Sequence, residues 1–224
     1  MCGRYSITEV LEYLQQRFDF PPPDFSHTPR YNVAPGQPAP VVVGGERRVL
    51  RLMKWGLIPS WAGDPAIGNR MINARAETLA EKRSFKRLLP SRRCLVVGDG
   101  FYEWRPAPSG RGKIPIRFVL GDGGQFSFAG LWDSWRSPDG EEVPTFTIVT
   151  TAANDLIRPF HDRMPVILER DDEARWIDPD LTDEKLAVAL LKPYPGEQMR
   201  AYEVSTIVNS PRNDSPECIK EIAP

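Results

Sequence analysis

CLVVGDGFYEWRPAPSGRGKIPIRFVLGDGGQFSF, residues 94–128, contains four short runs of strand-forming residues: Cys94–Val97, Phe101–Trp104, Ile114–Leu120 and Gln125–Phe128. Each is too short for a helix and rich in β-branched or aromatic side chains, and Gly-, Pro- and Asp-rich turns separate them. The spacings are those of hairpins and leave no room for crossover helices. Working outward, Thr145–Thr150, Met164–Leu168 and Met199–Ser205 read as further strands, and Val41–Val43 with Arg47–Met53 reads as a hairpin around Gly44 and Gly45. Residues 20–40 hold seven prolines and read as extended chain. A helix is expected over 7–18, opened by the capping-box spacing Ser6-Ile7-Thr8-Glu9. A second is expected over Ala76–Leu89, burying Leu79, Phe85 and Leu88, with others at 171–177 and at 182–191, where Thr182 is the expected N-cap. Hairpin strands with helices at the ends give an α+β fold. No repeat or linker interrupts it, so residues 1–224 are expected to form a single domain.

Composition narrows the function. The chain is 41% hydrophobic, and no stretch approaches the roughly 20 apolar residues of a membrane span. Residues 1–5 lack the apolar run of a signal peptide. Three distant cysteines (Cys2, Cys94, Cys218) make no disulfide framework and fit a reducing cytoplasm. With His27 and His161 the only histidines and no close cysteine pair, no metal site is expected. Cys94 lies in an apolar run and is expected to be buried, and Cys218 has no assigned role.

The net charge of −1 argues against a nucleic-acid partner until it is divided. Residues 1–120 carry 19 Lys+Arg and 10 Asp+Glu, a net of +9, whereas residues 121–224 carry 10 and 20, a net of −10. Residues 70–117 alone carry 12 basic and 4 acidic side chains. Such a block is the electrostatic footprint of a polyanion partner, and the acidic second half is expected to be solvated surface away from it.

Cys2 is the most unusual placement. Removal of Met1 would leave an α-amine and a thiol on one carbon. The amine has a pKa near ~8, so a useful fraction is neutral at pH 7, and the thiol is a second nucleophile placed to close a five-membered ring. Such an aminothiol can condense with an aldehyde to a Schiff base that the thiol traps as a thiazolidine. The same pair can serve as an amidohydrolase nucleophile, the amine taking the thiol proton.

Eight stretches, almost end to end, carry a family resemblance: MCGRY (1–5), RYNVAPGQ (30–37), KWGLIPSW (54–61), MINARAET (71–78), DGFYEW (99–104), TIVTTAAN (147–154), FHDRMPVIL (160–168) and VSTIVNSPRND (204–214). In this order and spacing the chain resembles the SRAP family of SOS response-associated peptidase-like proteins, whose vertebrate members were named 5-hydroxymethylcytosine-binding. The resemblance implies a single α+β unit around an open, antiparallel β-barrel-like core with a basic groove. It implies a DNA-damage function: abasic sites in single-stranded DNA are sensed and captured as a thiazolidine crosslink, without cofactor or metal. It also implies a monomer, cytoplasmic and nucleoid-associated when bound to DNA.

Residue by residue, the resemblance assigns Cys2 as the nucleophile, with Asn73, Glu103 and His161 completing the catalytic set. An amide at 73 orients the amine or sugar, and Glu103 and His161 exchange protons. Arg4, Arg75, Arg83 and Arg163 are the expected phosphate contacts, Pro35, Trp61 and Phe85 the stacking faces, and Thr150 a hydroxyl contact near the sugar. His27 is expected to be structural. Phe160 stands where many relatives carry a smaller aliphatic residue, and residues 105–113 and the tail after Asp214 have no clear counterpart. Two alternatives use part of this set: a thiol autopeptidase or amidohydrolase built on Cys2, and a non-covalent single-strand or modified-base DNA-binding module.

Overall fold

The computed structural model describes residues 2–222. Thirteen strands and four helices follow in the order β1 (Tyr5–Ile7), α1 (Leu11–Phe18), β2 (Arg30–Val33), β3 (Pro38–Val43), β4 (Val49–Trp55), β5 (Asn73–Arg75), α2 (Arg83–Lys86), β6 (Arg93–Gly98), β7 (Gly100–Pro106), β8 (Lys113–Leu120), β9 (Phe126–Arg136), β10 (Glu142–Ala152), β11 (Arg163–Pro165), β12 (Ile167–Leu168), α3 (Arg170–Trp176), α4 (Glu184–Ala189) and β13 (Met199–Glu203).

The hairpin β3–β4 continues through β6 to β9, β9 pairs with β10, and β10 returns to β4, so five strands form a ring. The barrel core is therefore closed rather than open. It closes through one parallel pair, with Thr145 opposite Lys54 and Phe146 opposite Trp55, where antiparallel pairing alone was expected. Closure gives each of the five strands a neighbour on both sides over part of its length. Pro38 and Pro40 are tolerated because β3 meets β6 only from Val41 to Val43, which leaves its proline half an edge on that side. At Gly130 an added Cβ would sit 2.7 Å from Val96 Cγ2 and 2.8 Å from Cys94 Sγ, so the ring has no room for a side chain there.

The second sheet runs β13-β8-β7-β1-β2. Its aromatic side chains bind it to the ring: Tyr5 lies 5.1 Å from Trp55 and 5.7 Å from Phe128, and Phe101 lies 6.1 Å from Phe128. A buried polar hub also fixes β1 in place. Asp99 accepts from the Ser6 hydroxyl at 2.5 Å, the Thr8 hydroxyl at 2.7 Å, the Thr8 backbone N–H and the Arg117 guanidinium at 2.7 Å.

This hub corrects the first expected helix. Ser6 belongs to a strand and spends its hydroxyl on Asp99, so the helix begins at Leu11 with Val10 as an N-cap lacking a side-chain bond. The expected helix over Ala76–Leu89 is also broken, into a single 3₁₀ turn at Ala76–Thr78 and the one-turn α2. The break falls at Lys82, whose backbone is extended (φ −74°, ψ 125°) and which becomes the N-cap of α2. The expected buried positions Leu79, Phe85 and Leu88 are nevertheless buried. Asp183, not Thr182, caps α4, its carboxylate accepting from the Lys185 and Leu186 N–H groups. Met164–Leu168 divides at Val166, with β11 pairing β10 and β12 pairing β9.

The acidic second half is not a separate surface. Arg17 pairs with Glu173, Arg30 with Asp214, Arg87 with Asp133 and Arg105 with Glu203, each a base from the first half with an acid from the second. The strands of the ring come from both halves, so sequence halves are interleaved in space. The tail also joins the fold: Cys218 is buried, and Val204 bridges to Glu221.

Candidate active site

Strand pairing brings the nucleophile to a carboxylate. Tyr5 lies opposite Phe101, and the Tyr102 N–H donates to the Arg4 carbonyl at 3.0 Å. Continuing this antiparallel register places Glu103 opposite Gly3, beside Cys2. Cys2 is 0% exposed and Glu103 6% exposed. Burial, with the Glu103 charge adding to it, pushes the Cys2 thiol up to about 12, so it is held as a thiol. Burial likewise raises the Glu103 carboxyl, against an opposing influence from His161 and Lys113.

Glu103 and His161 line one pocket of about 550 Å³, together with Trp104, Lys113, Phe160 and Asn209. His161 follows a tight turn closed by its own N–H on the Ile157 carbonyl. Its Nδ1 lies 2.9 Å from the Arg163 backbone N–H and 2.8 Å from an Asp162 carboxylate oxygen. The fixed backbone donor governs, since Asp162 is exposed and free to turn away: Nδ1 accepts, and the ring presents Nε2–H.

The remaining expected residues do not form one group. Asn73 and Arg75 on β5 lie opposite Ile148 and Thr150 of β10. The Asn73 side chain donates to the Ile72 carbonyl at 3.0 Å, while its Oδ1 is buried without a hydrogen-bond partner. Thr150 is fully buried, its hydroxyl 3.5 Å from the Ala74 carbonyl. Arg163 on β11 joins this group by donating to the Thr150 carbonyl at 2.6 Å and gripping Glu77 with both nitrogens at 2.7 and 2.9 Å.

Arg4 stands with Cys2 but is engaged. It donates to Asn32 Oδ1 and to the Val208 carbonyl, each at 2.6 Å, and lies 5.8 Å from the Trp104 ring centroid. These bonds tie β1 to β2 and to the segment 206–209. Arg83 lies 5.0 Å over the ring of Trp61, which is 45% exposed. Phe85 is 5% exposed and belongs to the core, so it offers no stacking face; burial on the helical stripe, which the sequence also indicated, excludes it. Pro35 is exposed just beyond β2. His27 contacts the Glu9 carbonyl and takes no part in the pocket.

Trp104, Lys113 and Asn209 are pocket residues that the sequence reading did not assign. Trp104 and Asn209 lie in quoted stretches, and the Trp104 indole N–H donates to Asn209 Oδ1 at 2.7 Å. Lys113 begins β8 within the segment lacking a counterpart. A larger groove, about 720 Å³, runs along β4, β9 and β10 past Pro22, Phe25 and Trp132. Its Ser134 hydroxyl donates to the Glu142 carboxylate at 2.6 Å on exposed strand ends, but no cysteine or histidine among the described residues lines it, so the smaller pocket, which joins Glu103 and His161, is the candidate site.

No helix among the described residues is long and apolar enough to cross a membrane. A family model described as SOS response associated peptidase (SRAP) matches residues 1–211. The chain is 44% identical to the abasic site processing protein YoqW of Bacillus subtilis, over 98% of this chain and 99% of that one. It is 34% identical to the abasic site processing protein HMCES of Xenopus tropicalis, over 88% of this chain and 67% of that one. A crystallised protein from Bacteroides thetaiotaomicron is 30% identical and superposes with a TM-score of 0.89, covering 99% of this chain and 100% of its own.

Proposed function

The chain belongs to the SOS response-associated peptidase family, and we propose that, like the relatives named for it, it processes abasic sites in DNA, by covalent capture through Cys2. The observation that carries this reading is the β1–β7 register that sets a buried Cys2 beside Glu103, which lines one pocket with His161.

An abasic deoxyribose opens from its hemiacetal to an aldehyde. The Cys2 amine, freed once Met1 is removed, adds to the aldehyde carbon, and loss of water gives an imine. The thiol sulfur then adds to the same carbon, closing a five-membered ring, while its proton passes to nitrogen. One aldehyde and one aminothiol give one thiazolidine and one water. Met1 itself lies outside the described residues.

The site chemistry fits this order of steps. A thiol pushed up to about 12 does not compete as a thiolate, so the amine attacks first. The Glu103 carboxyl, raised by burial, can give a proton to the departing hydroxyl and take one back. His161 offers Nε2–H to the sugar. The unpartnered Asn73 Oδ1 suits an N–H donor such as the attacking amine. Of the phosphate contacts, Arg75 is exposed, and Arg83 with Trp61 gives a stacked cationic face for single-stranded bases. Arg163 and Arg4 act through the contacts that now hold them. An autopeptidase would need a thiol activated toward thiolate, which burial opposes here.

Incubation with single-stranded DNA carrying one abasic site, followed by a denaturing gel, tests the proposal. The parent should give a heat-stable shifted band. Cys2→Ala keeps the amine, so it should give a band only after borohydride reduction. An unreduced heat-stable band from Cys2→Ala, or none from the parent, contradicts the proposal.

A further inference from the structure

A pocket built around a carboxylate repels the phosphodiesters on either side of an abasic sugar, and something must offset that repulsion. Arginines on the strands and segments that supply the pocket residues are committed to other partners. Arg4 is spent on Asn32 and Val208, Arg105 pairs with Glu203, Arg117 with Asp99 and Arg163 with Glu77. Of the described residues lining the pocket, Lys113 alone is a lysine or arginine. It is exposed at the first position of β8, on the strand that pairs with the one carrying Glu103. A flexible ammonium suits capture of one phosphate oxygen as a point charge, where a forked guanidinium would demand fixed geometry.

The pocket's size agrees. At about 550 Å³ it falls within the range of sites that enclose a drug-sized ligand, so it has room for a sugar together with a neighbouring phosphate. Trp104, held by its bond to Asn209, and Phe160, packed edge-on against Phe118 at 5.3 Å, supply rigid walls.

We infer that Lys113 is a positioning residue for the lesion strand, its ammonium binding a phosphodiester adjacent to the abasic sugar while Glu103 faces the sugar. The inference deepens the proposed function and rests on its choice of DNA as substrate. It also gives the β7–β8 connection, a segment outside the quoted family stretches, a part in placing the substrate.

The test uses non-covalent binding, so it does not depend on the crosslink. Single-stranded DNA carrying a tetrahydrofuran abasic analogue, which cannot form an imine, is titrated against the parent, Lys113→Gln and Lys113→Arg at several salt concentrations. A second pair of oligonucleotides replaces the 5′ or the 3′ flanking linkage with an uncharged methylphosphonate. Lys113→Gln should weaken binding about 5- to 10-fold and reduce the salt slope by about 0.7, the value of one single-strand phosphate. Lys113→Arg should recover most of the loss. One of the two methylphosphonates should weaken the parent by a similar factor and Lys113→Gln not at all. Unchanged affinity and slope in Lys113→Gln, or losses that simply multiply for both linkages, would overturn the inference. If this coupling appears while the parent forms no crosslink with reactive abasic DNA, the covalent proposal fails and the role of Lys113 stands.

Discussion

At the scale of single residues, the site holds groups at odds with folding. Glu103 is a carboxyl whose folded state favours the proton because of burial. A group raised in this way contributes stability below the unfolded carboxyl's pKa, about 4.3, and loses it as pH rises through the folded value. Glu103→Gln should therefore be at least as stable as the parent at pH 7, with the difference closing by about pH 4, as read by urea unfolding at both. The same variant should crosslink roughly 10²- to 10⁴-fold more slowly, the range for removing a general acid–base group. A less stable variant at pH 7 would show that Glu103 is structural. Glu77→Gln should release one side of Arg163, which the Thr150 carbonyl still holds, and tighten binding to single-stranded DNA about 2- to 5-fold at low salt. Titration by fluorescence anisotropy reads this, and weaker binding would make Glu77 a needed brace. Cys2, Glu103 and His161, on which the proposed chemistry rests, were assigned from the family stretches around them. Lys113 was not, because nothing local distinguishes one lysine in a basic block from another until strand pairing places it near a carboxylate. Phe85 was misassigned for the converse reason: its helical spacing indicated burial, and burial decided the matter.

At the scale of elements, β1 delivers Cys2, and Asp99 holds β1. Replacing Asp99 with Ala strips the Ser6, Thr8 and Arg117 bonds together and leaves Arg117 buried beside no carboxylate. A loss of about 3–5 kcal/mol is expected from chemical denaturation, the cost of breaking a buried pair. A loss below about 1 kcal/mol would mean that β1 is held by its aromatic packing alone. Strand existence was readable in residues 94–128 because alternation and turn residues are local signals. Strand lengths were not: β9 and β10 continue through Asp133, Ser134 and Glu142, polar positions that a period-two reading ends on but that pairing across the ring sustains. The capping-box spacing at Ser6 failed for a related reason. A distant carboxylate competes for the same hydroxyl, and no local pattern announces it.

At the scale of the whole molecule, the charge argument changes form. The excess of basic residues in the first half is partly cancelled where arginines meet acids from the second, so the DNA-facing charge is smaller than +9. The proposed mode, a modest electrostatic hold followed by a covalent bond, is consistent with that balance. With about three phosphate contacts, from Arg75, Arg83 and Lys113, affinity for single-stranded DNA should fall roughly 20-fold between 50 and 200 mM salt, and a salt-independent affinity would exclude this mode. Ring closure by the parallel β4–β10 pair was not legible, since pairing between residues 54 and 145 leaves no trace in either segment alone. The central claim is tested most directly by the intact mass of the product formed with abasic single-stranded DNA. The account predicts one protein chain lacking Met1 plus one DNA strand minus one water. An adduct that retains Met1, or one formed equally by Cys2→Ala without reduction, would contradict it.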